Sequence, residues 1–217
     1  FETILTDKLT NLIEYLKDAD GVLLGTEAMD KEVIDCLPNV KIISKYGVGL
    51  DNIDLDYAKK AGKIIGWTGG VNKRSVAEEA LAFMIGMCRN LYWTGFQMKQ
   101  GTWDKNGGFQ LSGKKVGIVG CGFAGTDLLK LLQPFECDLM ICDILDKSEI
   151  AKQYNARQVD HDEIFKESDV ITMHVPLTEL TYRMVNEARL NMMKKTAYLI
   201  NTCRGNVVDQ QALKTAL

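Results

Sequence analysis

The sequence of 217 residues has no long apolar run, no excess of one charge and little proline, and each shortage excludes a class of protein. The longest nearly apolar stretch, Ala80 to Cys88, is half of the roughly 18–20 residues that a membrane span needs. Twenty-nine acidic and 26 basic residues give a net charge of −3, which argues against a nucleic-acid partner. With three prolines, 46% hydrophobic and 25% charged residues, the composition is globular rather than disordered or fibrous.

Metal ligands are also scarce, since the chain has two histidines and six cysteines without a Cys-x-x-Cys spacing. No metal site is therefore predicted. Cysteines without a secretory signal are typical of reduced thiols, so a cytoplasmic location is expected. The chain begins at Phe1 and ends at Leu217 inside a helical pattern, and we expect it to be part of a longer protein.

Short apolar runs alternate with amphipathic helical patterns along the chain. Three strands are predicted before residue 67, and five more, each separated by a helix, between Lys115 and Asn201. This alternation predicts an α/β protein with parallel sheets. Between the two blocks, Ser75 to Lys99 is predicted as one long inter-domain helix, with Ser75 as its N-cap and Glu78 completing a capping box.

A glycine-rich loop, Gly120-Cys-Gly-Phe-Ala-Gly125, follows a predicted strand and opens a helix. In this context the pattern predicts a dinucleotide site. Gly120 permits the tight turn, Gly122 lets the backbone approach a pyrophosphate, and Gly125 lets helix and strand pack closely. The helix N-terminus offers N–H groups and a partial positive charge to the phosphates. The alternative is a glycine-rich turn without a ligand.

Asp143 closes the next predicted strand, 18 residues after Gly125. Its carboxylate is suited to accept a hydrogen bond from a ribose 2′-hydroxyl and would repel a 2′-phosphate, so NAD is favoured over NADP. Lys147 is the one nearby residue that favours NADP. The alternative for Asp143 is a cap or turn residue.

Four further segments carry a family resemblance. They are Tyr46-Gly-Val-Gly-Leu-Asp-Asn-Ile-Asp54, Ser75-Val-Ala-Glu78, His174-Val-Pro-Leu-Thr178 with Thr181, and Asn201-Thr-Cys-Arg-Gly-Asn-Val-Val-Asp209. Together with the glycine loop, in this order, they resemble the D-isomer-specific 2-hydroxyacid dehydrogenase family, nearest its phosphoglycerate-dehydrogenase-like branch. The resemblance covers nearly the whole chain.

The resemblance implies two open parallel-sheet domains with an active site in the cleft between them. Residues 1–74 would form part of a flavodoxin-like substrate domain, and residues 75–217 a truncated Rossmann NAD-binding domain. The C-terminal return into the substrate domain would be missing. The implied reaction is NAD-dependent hydride transfer to or from C2 of a D-2-hydroxy acid, with 3-phosphoglycerate as one candidate. The family also implies a homodimer, to which the aromatic Tyr92, Trp93, Phe96 and Trp103 would contribute.

The resemblance assigns roles to individual residues. Arg204 would be the active-site arginine, binding the substrate carboxylate or polarising the C2 oxygen; otherwise it is a surface arginine. The backbone of Val48 and Gly49 would hold the carboxylate; otherwise the loop is a turn capped by Asp51. The implied cofactor-binding residues are Gly120, Gly122, Phe123, Ala124, Gly125, Asp143, His174, Val175, Pro176, Thr181, Thr202 and Cys203.

His174 is assigned to cofactor packing rather than to catalysis, because the family's proton-transfer histidine and its glutamate partner lie further towards the C-terminus. His161 is predicted to be a solvated turn residue. Phe123 stands where arginine is common, and Cys203 where alanine is usual. Lys73, Arg74 and Lys105 are candidates for binding a phosphorylated substrate, or plain surface bases. The alternative function is an NAD-sensing regulator or scaffold, which a complete reading frame without the C-terminal His–Glu pair would favour.

Overall fold

The computed structural model describes residues 9–217. Apolar periodicity predicts a first helix from about Leu5 to Lys17, and the part of it before Leu9 lies outside the described residues. The chain divides into two compact units, Phe1–Val71 and Asn72–Leu217. Each unit contains one parallel β-sheet with helices. The predicted α/β class with two parallel sheets is confirmed.

The first unit has three short strands in the order β1-β2-β3, all parallel. Its elements are α1 (Leu9–Leu16), β1 (Gly21–Leu24), α2 (Lys31–Asp35), β2 (Ile42–Lys45), α3 (Leu55–Lys60) and β3 (Ile64–Gly66). Alternate residues of the strands enter the core, where Leu24 and Ile43 are buried. The side chains of Asp30 and Asp54 cap α2 and α3. Asp51, the cap in the alternative that treats residues 48–49 as a plain turn, does not cap α3; Asp54 does.

The second unit has five parallel strands in the order β6-β5-β4-β7-β8. Its elements are α4 (Lys73–Cys88), α5 (Leu91–Lys99), β4 (Lys115–Val119), α6 (Phe123–Leu132), β5 (Asp138–Cys142), α7 (Ser148–Gln153), β6 (Ala156–Gln158), α8 (His161–Glu167), β7 (Val170–Met173), α9 (Glu187–Met192), β8 (Tyr198–Asn201) and α10 (Gln210–Ala216). After β4 the chain first builds β5 and β6 on one side and then β7 and β8 on the other. The strand order therefore reverses at β4, and ligands bind such sheets at that point, beyond the carboxyl ends of the strands.

The helix predicted from Ser75 to Lys99 is wrong in two respects. It is divided into α4 and α5, because Asn90 adopts a left-handed conformation with φ of +56°. The carbonyl of Cys88 accepts a hydrogen bond from the N–H of Phe109 at 2.8 Å, so the following loop, rather than another helical turn, bonds the end of α4. At its start, Asn72 is the N-cap residue and Ser75 lies inside the first turn.

His161 is also placed differently from the prediction. It is the first residue of α8 and is half-buried, rather than a solvated turn residue. Burial lowers its pKa, and the positive charge of Arg189 lowers it further. Among the helices of residues 9–217, none is long and apolar enough to cross a membrane.

Candidate cofactor and substrate sites

The glycine loop joins β4 to α6 at the carboxyl edge of the five-stranded sheet. Gly120 has φ of +93°, and a Cβ at this position would lie 2.4 Å from the carbonyl oxygen of His174. A Cβ on Gly125 would lie 2.2 Å from the carbonyl oxygen of Gly120. Both glycines are therefore required by the fold itself. A Cβ on Gly122, in contrast, would meet nothing within 4 Å, which leaves room for a ligand at this position.

The N-terminus of α6 faces this open space. Gly122 is its N-cap and provides no side chain to satisfy the first N–H groups of the helix. Such groups, together with the helix dipole, attract an anion such as a pyrophosphate. Phe123, the first residue of α6, is 61% exposed and adds apolar surface beside this helix end. Ala124 is half-buried in the same turn.

Asp143 directly follows β5 and is tied to the glycine loop. Its Oδ2 accepts a hydrogen bond from the N–H of Cys121 at 2.8 Å, and its Oδ1 accepts one from the N–H of Leu145 at 2.9 Å. The carboxylate is thus held in a fixed orientation beside the loop. Each carboxylate oxygen has more than one lone pair, so it retains capacity for a ribose hydroxyl. Sequence spacing indicated a ligand contact for Asp143 but not this bond to Cys121.

The segment after β7, which starts at His174, lies against the glycine loop at Gly120. The N–H of His174 donates to the carbonyl of Val119 at 2.7 Å, and its Nε2 lies 3.0 Å from Oγ1 of Thr172. Burial lowers the pKa of His174 to about 4, so the imidazole is neutral at pH 7. Its Nδ1 is buried and has no hydrogen-bond partner among the described residues. A buried neutral imidazole of this kind fits packing better than proton transfer at neutral pH.

Thr181 stabilises the loop that follows His174. Its hydroxyl donates to the carbonyl of Pro176 at 2.6 Å and accepts from the N–H of Thr178 at 2.8 Å. The hydroxyl is therefore engaged in closing this turn. Any contribution of Thr181 to a cofactor contact comes through the shape of the loop.

Asn201, at the end of β8, shapes the turn that carries Arg204. Its Oδ1 accepts from the N–H and the thiol of Cys203, both at 3.0 Å, and its Nδ2 donates to the carbonyl of Arg204 at 2.8 Å. Burial raises the pKa of the Cys203 thiol, although nearby N–H groups of Val175 and Arg204 oppose the rise. The thiol therefore stays protonated at pH 7. The Oγ1 of Thr202 is buried without a partner in the described part of the chain.

Arg204 is half-buried and precedes a 3₁₀ turn at Gly205–Val207. Its Nη1 donates to the carbonyl of Cys203 at 2.9 Å, which fixes one arm of the guanidinium against the backbone. In sequence terms, Asn201 was part of the recognised motif but had no predicted role; its amide is what orders the turn. The short amide side chain of asparagine readily forms hydrogen bonds with nearby backbone groups. An asparagine just before the predicted active-site arginine is the sequence signal that could have identified this role of Asn201.

In the first unit, the segment after β2 carries Val48 and Gly49. Gly47 has φ of +106°, and the carbonyl of Val48 accepts a hydrogen bond from Nε1 of Trp67 at 3.0 Å. Within residues 9–217 the N–H groups of Val48 and Gly49 have no hydrogen-bond acceptor. Within the described residues, two adjacent N–H donors next to a glycine with positive φ are thus available to an anion.

Lys45 and Asn52 anchor the two ends of this loop, and sequence reasoning missed both. Nζ of Lys45 donates to Oδ1 of Asn52 at 2.9 Å and also to the carbonyl of Gly25. Nδ2 of Asn52 donates to the carbonyl of Glu27 at 2.6 Å. The backbone continues the contact, since the N–H of Met29 donates to the carbonyl of Asn52 at 2.8 Å. The loop is thereby held against the segment that follows β1.

Of the candidate phosphate-binding bases, Arg74 is engaged elsewhere. Its guanidinium forms a two-point ion pair with Asp127 of α6, with Nε to Oδ2 at 2.9 Å and Nη2 to Oδ1 at 3.1 Å. Nζ of Lys105 lies 5.0 Å from the centroid of the Trp103 ring. Within the described residues no group of three or more His, Cys, Asp or Glu side chains is arranged to hold a metal ion.

Comparison with known proteins places these features in a family. Residues 81–217 match the family described as D-isomer specific 2-hydroxyacid dehydrogenase, NAD binding domain. The chain is 39% identical over 214 residues to a glyoxylate reductase of Thermofilum pendens. The aligned region covers 95% of this chain and 63% of that protein. It is 35% identical over 209 residues to a D-3-phosphoglycerate dehydrogenase of Archaeoglobus fulgidus, covering 95% of this chain and 40% of that protein.

The fold comparison agrees with the sequence comparison. A crystal structure of D-lactate dehydrogenase from Aquifex aeolicus, complexed with NAD and lactic acid, is similar with a TM-score of 0.86 and 32% identity, over 94% of this chain and 62% of that one. The chain thus belongs to the D-isomer specific 2-hydroxyacid dehydrogenase family. The predicted family and the predicted cofactor, NAD, are confirmed. The chain spans just under two thirds of the length of the glyoxylate reductase.

Proposed function

We propose that the protein of which this chain is a part is an NAD-dependent oxidoreductase that interconverts a 2-keto acid and a D-2-hydroxy acid. Bound NAD would supply the hydride acceptor, and NADH the donor. The observation that carries the proposal is the open space at Gly122, with the N-terminus of α6 and Asp143 bordering the same loop. The unfilled space beside Gly122 and the carboxylate of Asp143 support a dinucleotide at this loop.

Residues of the second unit are proposed to hold the cofactor. The first turn of α6, from Gly122 to Gly125, would bind the pyrophosphate through its N–H groups. Asp143 would accept a hydrogen bond from the ribose. The other members of the proposed set would line the cofactor or, in the case of Thr181, shape the loop beside it: Gly120, Phe123, Ala124, His174, Val175, Pro176, Thr181, Thr202 and Cys203. Accordingly we propose that residues 75–217 act as the nucleotide domain and residues 1–74 as part of the substrate domain.

Arg204 is proposed as the catalytic arginine. A planar guanidinium can bind a carboxylate through two hydrogen bonds, and it stabilises negative charge that develops on the C2 oxygen. The bond from Nη1 to the Cys203 carbonyl supports this role, because it limits the positions that the rest of the guanidinium can take. Val48 and Gly49 are proposed to bind the substrate carboxylate through their N–H groups.

The proton-transfer group is assigned to no residue of this chain. His174 has its pKa lowered to about 4 by burial, so it is a poor acid or base near pH 7. His161 begins α8, a helix that follows β6 at the far edge of the sheet from β8 and Arg204. The proposal therefore requires this group to come from the rest of the protein.

Glyoxylate is the first substrate to test, because the T. pendens relative is named a glyoxylate reductase. Phosphorylated 3-carbon acids are the second, following the name of the A. fulgidus relative. The test is a panel of 2-keto and 2-hydroxy acids with the complete protein, followed by NADH absorbance. Turnover of at least one acid supports the proposal. NADH binding without turnover of any member would contradict it and favour a regulatory protein.

A homodimer is proposed to form through the second unit, in the cytoplasm. Tyr92, Trp93 and Phe96 on α5 are each more than half exposed, as is Trp103 in the loop that follows. Such a concentration of exposed aromatic rings is typical of an interface core. Light scattering at micromolar concentration should give the mass of a dimer, and replacement of Trp93 and Phe96 by serine should give a monomer. A monomeric wild-type protein would refute this part of the proposal.

A further inference from the structure

A cavity of about 490 Å³ lies between α6 and α7, beside the glycine loop. On α6 its wall is formed by Phe123, Thr126, Asp127 and Lys130. These positions are spaced by three and four residues, so they occupy one face of the helix over about 10 Å of its length. The cavity therefore extends well away from the N-terminus of α6, where the pyrophosphate is proposed to bind.

The opposite wall comes from α7 and the start of α4. Lys147, Ile150 and Tyr154 contribute the α7 side, and Lys73 stands in the first turn of α4. Ile150, Tyr154 and the Phe123 ring give the cavity apolar surface. Pockets of about 300–1,000 Å³ with apolar walls and a few polar groups are typical of small-molecule sites.

The charges that line this cavity are unbalanced. Lys73, Lys130 and Lys147 each contribute an ammonium group, and within the described residues none of the three forms an ion pair with a carboxylate. Asp127 is the one acidic residue among those that line the cavity. Its carboxylate is already neutralised by the two-point ion pair with Arg74. Three of the residues that line the cavity are therefore lysines without a carboxylate partner among the described residues.

We propose that this cavity, which lies outside the proposed substrate site, binds a phosphate monoester, with the phosphate held by the lysines and the body of the molecule against Ile150 and Tyr154. A phosphate monoester carries nearly two negative charges at pH 7 and three acceptor oxygens, which matches three ammonium donors. A monocarboxylate would neutralise one of them. The inference goes beyond the proposed dehydrogenase function and does not depend on turnover.

Two sources offer this chemistry. One is a separate phosphorylated metabolite, which would occupy the cavity while the dinucleotide is bound. The other is the 2′-phosphate of NADPH, since Cys121 and Gly122 of the glycine loop also line the cavity. The carboxylate of Asp143 beside Cys121 disfavours the second source by charge repulsion.

The test is calorimetric titration of the complete protein with ribose 5-phosphate, inorganic phosphate, NADH and NADPH. Lys130→Met and Lys147→Met each remove one ammonium group and keep most of the apolar stem. Lys195→Met, at an exposed position outside the cavity, is the matched control. Loss of one charged hydrogen bond should weaken phosphate-ester binding about tenfold or more, and raised salt should weaken wild-type binding. NADH affinity and the unfolding midpoint should not change.

The outcomes separate the sources. If ribose 5-phosphate binds the NADH-saturated protein and both cavity variants weaken it, the ligand is a separate phosphate ester. If the variants weaken NADPH but not NADH, and ribose 5-phosphate does not bind, the cavity holds the cofactor's 2′-phosphate. If ribose 5-phosphate, inorganic phosphate and NADPH all keep their affinity in both variants relative to Lys195→Met, the proposal is overturned. Failure of the keto-acid panel would leave all of these results unaffected.

Discussion

Replacing glycines of the nucleotide loop by alanine separates the fold's requirements from those of the ligand. A Cβ on Gly125 would lie 2.2 Å from the backbone oxygen of Gly120, about 1 Å inside van der Waals contact, so α6 has to shift. Overpacking of this kind costs about 3 kcal/mol. For a protein of this size that corresponds to a fall of about 6–12 °C in the unfolding midpoint.

Gly122→Ala, in contrast, should leave the stability of the fold unchanged and weaken NADH binding. Its φ is −82°, and an added Cβ would meet nothing within 4 Å, so unfolding should stay within about 0.5 kcal/mol of wild type. If a pyrophosphate lies against this backbone, the methyl group occupies its space. Crowding of about 1–3 kcal/mol would then weaken NADH binding about 5- to 150-fold.

The assay pairs thermal unfolding with NADH titration on the complete protein, and Gly107→Ala serves as control. A Cβ on Gly107 would make only ordinary contact, 3.5 Å from the Arg89 side chain, at a position away from the loop. It should change neither stability nor NADH affinity appreciably. Wild-type NADH affinity in Gly122→Ala, with the protein folded, would refute the placement of the pyrophosphate on this turn.

Three further predictions concern single side chains. Asp143→Ala should weaken NADH binding about 10- to 150-fold and relax discrimination against NADPH; equal NADH affinity by calorimetry would count against the ribose contact. In the complete protein, Arg204→Ala should lower kcat about 10²- to 10³-fold with little change in NADH affinity, and Arg204→Lys should not restore it, because an ammonium lacks the planar fork; near-normal turnover would remove Arg204 from the active site. Burial lowers the pKa of His174 from 6.5 to about 4, so as the pH falls this residue is protonated in the unfolded chain before it is protonated in the folded chain. The free energy of unfolding should therefore decrease by up to about 3 kcal/mol as the pH drops from 6.5 towards 4. Urea unfolding across this range should show a shallower fall in His174→Gln, and identical pH profiles would contradict the assignment.

Local sequence patterns were sufficient to predict the features that depend on residues close together in the chain. The helix that the glycine loop is predicted to open is present as α6, from Phe123 to Leu132. The short apolar runs between Lys115 and Asn201 predicted parallel strands, and two of these, β4 and β7, are buried almost throughout. The family motifs identified the cofactor loop and the candidate arginine before any contact was known.

Contacts between segments that lie far apart in the sequence could not be predicted from local sequence patterns. At the break near Asn90, the carbonyl of Cys88 accepts a hydrogen bond from the N–H of Phe109, which lies in the loop after α5 and is remote in the sequence. Lys45 and Asn52 gave no sequence signal of their partnership, because the carbonyls that they bind belong to residues 25 and 27.

The sequence by itself determined the α/β class, the order of the elements, the nucleotide loop and the family, because these depend on spacing along the chain. Only the tertiary structure decided that Asp143 orients the loop through Cys121, that His174 is buried and neutral, and that Lys73, Lys130 and Lys147 face one cavity. The physical reason is that burial and electrostatic environment arise from the packing of segments that sequence separates, and a pKa or a charge cluster exists only once those segments meet.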